Sequence, residues 1–488
     1  MKTLQVREVS LYINGEYVPS GDGKTFPVTN PATQETIAYV SEATVEDADR
    51  AVLAARKAFE EGPWRTMPLK ERCSKLRRLA ELILERKEEI ARLESLDVGK
   101  PYKLALEREI PRAAQNIRFF ADFVEQQGWE HYPMDEEYIN YTRYEPVGVA
   151  ALITPWNAPF MLTTWKLGPC LAGGNTCVIK PAEMTPLSVS LLGELAKEAG
   201  IPDGVVNIIH GPGGKAGAAL TRHPEVDLIS FTGSTATGRT ILKNGADTLK
   251  RVSFELGGKA ANIIFEDADL DKAIPGSITA AFMNSGQICL AGSRILVQRT
   301  IFDEFLNRFT KAVKELKVGD PQKEDTNLGP VVSGEHYKKV TSYLEIAKEE
   351  NAKLICGGKR PELPEYLQNG YYLEPTIYVQ ENHKTRLCQE EIFGPIVTLI
   401  PFDTEEEALK IANDTEYGLN GVIWTENLQR AHRISHGVRA GTIWVNCWFV
   451  RDLRAPFGGY KNSGIGREGG RHSIEFFTEA KNICIALK

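Results

Sequence analysis

The chain has 488 residues and a mass of 54.2 kDa, 42% hydrophobic and 25% charged, with a net charge of −7 and a pI near 5.8. That length calls for two or three domains, and the lack of a basic block excludes a nucleic-acid partner. No run reaches 18 apolar residues and residues 1–8 lack the apolar core of a leader, so a cytoplasmic protein with no membrane partner is expected. Eight scattered cysteines without a Cys-x-x-Cys pair fit a reducing compartment rather than a disulfide framework or a zinc cage. In chain order, helical periodicity covers 45–61, 68–96 and 105–127, with Pro111 marking a first turn or a break. Residues 137–146 alternate and predict an extended arm. Strands follow at 147–153, 176–180, 205–209 and 228–231, with a helix over 186–200. The rhythm restarts after Gly257, with a strand at 261–265 and a helix at 300–317. Apolar strands alternating with helices predict parallel sheets covered on both faces. The Gly257-Gly258 turn is the expected domain boundary.

Cys289 closes the run Phe282-Met283-Asn284-Ser285-Gly286-Gln287-Ile288-Cys289, and Glu255 stands in Phe254-Glu255-Leu256-Gly257-Gly258-Lys259. A thiol is nucleophilic near neutral pH and a carboxylate can activate water, which suggests covalent catalysis. In Thr154-Pro155-Trp156-Asn157-Ala158-Pro159 two prolines stiffen a loop and fix Asn157 as an amide donor suited to an oxyanion. Lys180 and Glu183 follow a strand, where open α/β sheets bind ligands. Gly233 and Ser234 lie in a strand-to-helix turn that offers backbone N–H groups to a phosphate. Each has an ordinary reading as well: a small buried hydrophobe, a turn Asn, a surface ion pair, a plain turn. The neighbours Glu390 and Glu391 do not converge on one atom. His432 and His436 lack a third ligand and suit helix-end capping, so no metal is expected.

Seven blocks, running in order over essentially the whole chain, resemble the aldehyde dehydrogenase superfamily. They are Thr154-Pro155-Trp156-Asn157, Lys180-Pro181-Ala182-Glu183, Phe231-Thr232-Gly233-Ser234, Phe254-Glu255-Leu256-Gly257-Gly258-Lys259, Gly286-Gln287-Ile288-Cys289, Glu391-Ile392-Phe393-Gly394-Pro395 and Pro456-Phe457-Gly458-Gly459. The resemblance implies an α/β fold with a Rossmann-type NAD-binding domain (1–128 and 147–256), an α/β catalytic domain (257–460) and a small β oligomerisation element (129–146 and 471–488). That element would join a neighbouring subunit in a homodimer or homotetramer. By the same resemblance Cys289 attacks an aldehyde as thiolate, its pKa depressed below the usual value of about 8.5. Asn157 and the Cys289 backbone N–H would hold the oxyanion, and Glu255 would activate the hydrolytic water. Lys180 and Glu183 would hold the adenine ribose, Glu183 disfavouring a 2′-phosphate and so NADP. Gly233 and Ser234 would meet the pyrophosphate and Glu391 the nicotinamide ribose, with Phe393 packing nearby and Trp156 shaping the cleft.

Further stretches, Ile110-Pro111-Arg112 with Asn116-Ile117-Arg118-Phe119-Phe120, and Asn446-Cys447-Trp448-Phe449-Val450-Arg451-Asp452-Leu453-Arg454, resemble the muconic-semialdehyde branch of that family. There Arg112 and Arg451 match arginines that hold the substrate's carboxylate, for which a guanidinium offers a planar fork. Arg454 is the substitute for Arg451. The expectation is NAD-dependent oxidation of a carboxylate-bearing semialdehyde, of the 2-hydroxymuconate or 5-carboxymethyl-2-hydroxymuconate kind, in aromatic catabolism. The alternative is a broad-specificity enzyme for small aldehydes, in which the arginines are incidental. Glu255 disfavours transfer to coenzyme A. Cys289, Glu255 and Asn157 together disfavour a non-catalytic relative.

Overall fold

The computed structural model describes residues 6–487. Residues 1–5, within the stretch read for a leader, and Lys488, the end of the expected oligomerisation element, lie outside the described residues.

Runs of β-branched and small apolar residues build two largely parallel sheets. In the first, five parallel strands lie in the order Val206–Ile208, Thr176–Lys180, Val149–Ile153, Leu228–Thr232, Arg251–Glu255. Antiparallel strands flank them, Leu11–Ile13 and Glu16–Val18 on one side and Gly464–Ile465 on the other. Every residue of Val149–Ile153, Thr176–Lys180 and Leu228–Thr232 is buried, as continuous apolar runs in a doubly covered parallel sheet should be. Chain order reverses between Val149–Ile153 and Leu228–Thr232, and crevices outside such a switch point bind ligands.

The second sheet has seven strands. Ala261–Ile264 pairs in parallel with Arg294–Gln298 and Asn420–Trp424, and only the edge strand Lys353–Cys356 is antiparallel. The chain thus passes from one sheet to the other between Glu255 and Ala261, through two glycines packed against Glu391 and the Cys289 carbonyl. A third, antiparallel sheet joins His131–Tyr132, Tyr138–Pro146 and Thr478–Ala486. Its outer strand is paired on one side only and carries exposed Ile485, with exposed Leu487 beyond it.

Tertiary packing redraws two expected helices. The stretch 68–96 breaks at Arg86 (φ −104°, ψ 18°) into Leu69–Glu85 and Lys87–Val98. The first helix buries Leu76 and Leu79 in one core; the second shares that core through Ile90 and Ala91 and buries Leu93 and Leu96 against Val28 and Val40 in another. The second helix thus turns toward a core that the first does not reach. The stretch 105–127 opens as a π turn, Ala105–Glu109, and continues as the α-helix Ile110–Gln126. Pro111 sits in the first turn of that helix, where its missing N–H costs nothing.

Candidate active site

Cys289 sits at the end of a strained loop. The helix Leu270–Phe282 gives way to Asn284, Ser285 and Gly286, with φ of 50°, 55° and 73° in succession. Left-handed backbone in non-glycine residues costs on the order of 1–3 kcal/mol each and persists only where surrounding contacts impose it. They do so here. Ser285 Oγ donates to the Gly329 carbonyl (2.8 Å), the Val332 N–H donates to Gln287 Oε1 (3.0 Å), and Gln287 Nε2 donates to the Asn284 carbonyl (3.1 Å). A Cβ at Gly286 would run into the Gly394 carbonyl. Asn157, following the strand Val149–Ile153, donates one amide N–H to the Gln287 carbonyl (2.9 Å), which ties it to this loop and leaves its second N–H uncommitted.

Glu255 ends the last of the five parallel strands of the first sheet. It is buried, and both carboxylate oxygens lack a hydrogen-bond partner. Burial and the neighbouring Glu468 push its carboxyl up to about 8, against the pull of Lys166, Arg451 and Arg467. Glu468 is anchored by Trp165 Nε1 (2.6 Å) and Lys166 Nζ (2.7 Å), both on the helix Pro159–Ala172. A buried acid near neutral pKa with free oxygens is equipped to take a proton.

Two cavities flank this centre. One, of about 390 Å³, is lined by Trp156, Asn157, Gly233, Ser234, Cys289 and Glu391, among others. Ser234 caps the helix Thr235–Gly245 by accepting from the Thr237 N–H, so that helix N-terminus opens beside the cavity. Glu391 accepts from the Gly258 N–H (2.9 Å). Phe393, held at φ 63°, stands edge-on to Trp156 at 5.2 Å, and its carbonyl accepts from His336 Nε2 (2.7 Å). Lys180 and Glu183 form an ion pair (3.0 Å) at the end of the neighbouring strand, outside the lining of this cavity. Burial alone would raise the Glu183 carboxyl, but Lys180 holds it below its ordinary value.

The second cavity, of about 590 Å³, is walled by Arg112, Asn116, Met161, Trp165, Trp448 and Arg451, among others. Arg451 stacks on Phe457 (3.8 Å to the ring centroid) and Trp165 (4.9 Å), and its Nη2 is buried without a partner. Burial and the proximity of Arg112 lower its pKa to about 10. Among the described residues neither arginine forms a salt bridge. Glu109, the one acid among the described residues of that wall, is engaged by buried Lys100. A wider surface groove of about 1950 Å³ along Arg7–Val9 and Pro321 contains none of these groups.

A thiol, a base, an amide donor and two cavities thus meet at one point, and a family model described as "Aldehyde dehydrogenase family" matches residues 17–483. The chain belongs to the aldehyde dehydrogenase family. This aldehyde dehydrogenase is 48% identical to the 2-hydroxymuconic semialdehyde dehydrogenase of Pseudomonas sp. (strain CF600), over 99% of this chain and all of that one. It is 45% identical to the 5-carboxymethyl-2-hydroxymuconate semialdehyde dehydrogenase of Escherichia coli, over 96% and 99% of the two chains. The solved NAD+ complex of aldehyde dehydrogenase from Bacillus cereus superposes with a TM-score of 0.96 at 44% identity, covering 99% of this chain and 97% of that one.

One expectation is reversed in this aldehyde dehydrogenase. The Cys289 thiol is not depressed: burial, then Glu255 and Glu391, push it up to about 12, because a thiolate there would be a third negative charge in a desolvated site. Arg454 is exposed and bound to its neighbour Asp452 (2.6 Å), away from the cavity. Glu390 turns to Tyr343 and Arg386 while Glu391 turns to Gly258, so the two acids diverge. The His432 and His436 rings lie 6.2 Å apart, and among the described residues no group of three or more His, Cys, Asp or Glu is placed to hold a metal ion. Nor is any described helix long and apolar enough to cross a membrane. Sequence reading missed Lys166, Glu468 and His336. Each is an isolated polar residue in an ordinary segment, so no local pattern marks it.

Proposed function

We propose that this aldehyde dehydrogenase oxidises a semialdehyde that carries a carboxylate, of the muconic-semialdehyde kind, to the corresponding acid with NAD. The observation that carries the reading is the pair Arg112 and Arg451, two guanidinium groups without carboxylate partners on the wall of a cavity beside Cys289. Glu255 and Glu468 act on Arg451 through space but form no salt bridge with it among the described residues, so a ligand carboxylate would complete a charge whose burial is otherwise costly. The names of two relatives, a 2-hydroxymuconic and a 5-carboxymethyl-2-hydroxymuconate semialdehyde dehydrogenase, agree with it.

The first cavity suits a dinucleotide: it lies outside a switch point, beside a helix N-terminus, with Glu391 at its far side. Trp156, Gly233, Ser234, Glu391 and Phe393 would hold NAD there, with Lys180 and Glu183 at the adjoining strand end. When bound, NAD supplies the acceptor for a hydride. Cys289 rests as a thiol and releases its proton to solvent as sulfur bonds to the aldehyde carbon. The carbonyl oxygen becomes an oxyanion facing the free N–H of Asn157 and the Cys289 backbone. Loss of hydride restores the carbonyl as a thioester. Glu255 then takes a proton from water, whose oxygen attacks the thioester carbon and releases the acid with Cys289 as leaving group. Residues 1–128 and 147–256 would form the cofactor domain and 257–460 the catalytic domain. The arm 129–146 with 471–488 would pair its open edge with another subunit in a dimer or tetramer.

The test is kcat/KM for a carboxylate-bearing semialdehyde and for propanal. One charge-assisted contact contributes roughly 1.5–3 kcal/mol, so Arg451→Ala should lose about ten- to a hundredfold on the acid substrate alone. Equal losses on both substrates would make the arginines structural and the enzyme one of broad specificity.

A further inference from the structure

Arg112 has a neutral partner. Many arginines are fixed by carboxylates, as Arg77 is by Asp122 (2.7 Å) and Arg299 by Asp403 (2.7 Å), while buried Arg294 meets backbone carbonyls and exposed Arg222 the amide oxygen of Asn244 (3.2 Å). Arg112 donates its Nε–H to the amide oxygen of Asn116 (3.1 Å), one turn on along the helix Ile110–Gln126. Asn116 is 1% exposed, and both its N–H groups are used: Nδ2 donates to the Met161 carbonyl (3.1 Å) and to Thr164 Oγ1 (3.3 Å). Thr164 in turn donates its hydroxyl hydrogen to the Met161 carbonyl (2.9 Å). It can therefore only accept from Asn116, which fixes the amide with its oxygen toward Arg112. A neutral oxygen orients the guanidinium without cancelling its charge. Among the described residues the two terminal nitrogens of Arg112 stay uncommitted, and the same cavity wall carries Arg451.

We propose that Asn116 is a positioning residue for substrate choice: it aims Arg112 into the cavity through a neutral amide and so reserves the arginine's charge for the substrate's carboxylate. This rests on the reading of Arg112 and Arg451 given above. A carboxylate at position 116 would satisfy the same geometry but form an internal ion pair. The guanidinium would then meet the substrate already neutralised.

The experiment compares Asn116→Asp, Asn116→Ala, Arg112→Ala and the double variant Arg112→Ala/Asn116→Asp, with KM and kcat measured separately on a carboxylate-bearing semialdehyde and on propanal. Asn116→Asp should lower the acid-to-neutral ratio of kcat/KM by about tenfold, chiefly through KM, to the level of Arg112→Ala. The double variant should fall no further, since both changes remove one interaction. Should Asn116→Asp fail to fold, Asn116→Ala carries the test: a rise in KM confined to the acid substrate supports the proposal. Loss on both substrates alike, or an additive loss in the double variant, overturns it and leaves Asn116 as packing. An unchanged ratio in Arg112→Ala would instead refute the substrate reading itself.

Discussion

The raised pKa of Glu255 makes thioester hydrolysis steeply pH-dependent, and the direction of the dependence follows from the site. The base must be ionised to take a proton from water. With a pKa of about 8, roughly one tenth of the enzyme is ready at pH 7 and roughly nine tenths at pH 9. Hydrolysis should therefore rise about tenfold over that interval, with its midpoint near 8, whereas an ordinary glutamate would give a flat profile above pH 6. Glu468 is the neighbouring like charge that helps to raise this pKa, and its carboxylate accepts from Trp165 and Lys166. In Glu468→Gln the amide oxygen can keep one of these bonds while the negative charge is gone, so the midpoint should move to lower pH. Glu255→Gln should form the thioester once and then stall. The assay is single-turnover rapid quench with mass detection of the acyl-enzyme, which separates hydrolysis from attack by the Cys289 thiol. A flat profile between pH 6 and 9.5, or a midpoint that moves upward in Glu468→Gln, would refute the assignment of Glu255 as the hydrolytic base.

Cys289→Ala should abolish aldehyde oxidation and leave NAD binding, followed by quenching of tryptophan fluorescence, nearly intact; steady turnover would remove Cys289 from the mechanism. Lys100 is fully buried between Glu94 and Glu109, so Lys100→Met strands two carboxylates and should destabilise the protein by roughly 3–5 kcal/mol. Urea unfolding checks this, with the triple variant Lys100→Met/Glu94→Leu/Glu109→Leu expected to recover most of the loss.

Much of the first sheet was legible because its information is local. The runs at 176–180 and 228–231 have apolar, β-branched centres and are buried throughout, as strands of a doubly covered sheet are, and the second leads into Gly233 at a strand-to-helix turn. The reactive residues were legible for a related reason. Cys289 and Asn157 sit in loops, and Glu255 at a strand end before Gly257-Gly258, where the backbone demands a recognisable run of Gly, Pro and Asn, as the left-handed succession Asn284, Ser285, Gly286 shows. The break at Arg86 was not visible, because helical periodicity is indifferent to which of two cores receives each stripe.

What the sequence by itself determined, then, is the strand–helix alternation over 147–231, the parallel-sheet class and the residue types that carry the chemistry, since each depends on neighbours within a few positions. The tertiary structure decided everything that depends on distance through space. It brought Arg112 and Arg451 from opposite ends of the chain to one cavity wall, and Glu468 and Lys166 beside Glu255. It also reversed the expected direction of the Cys289 thiol, because a pKa is set by burial and by charges that only the folded chain assembles.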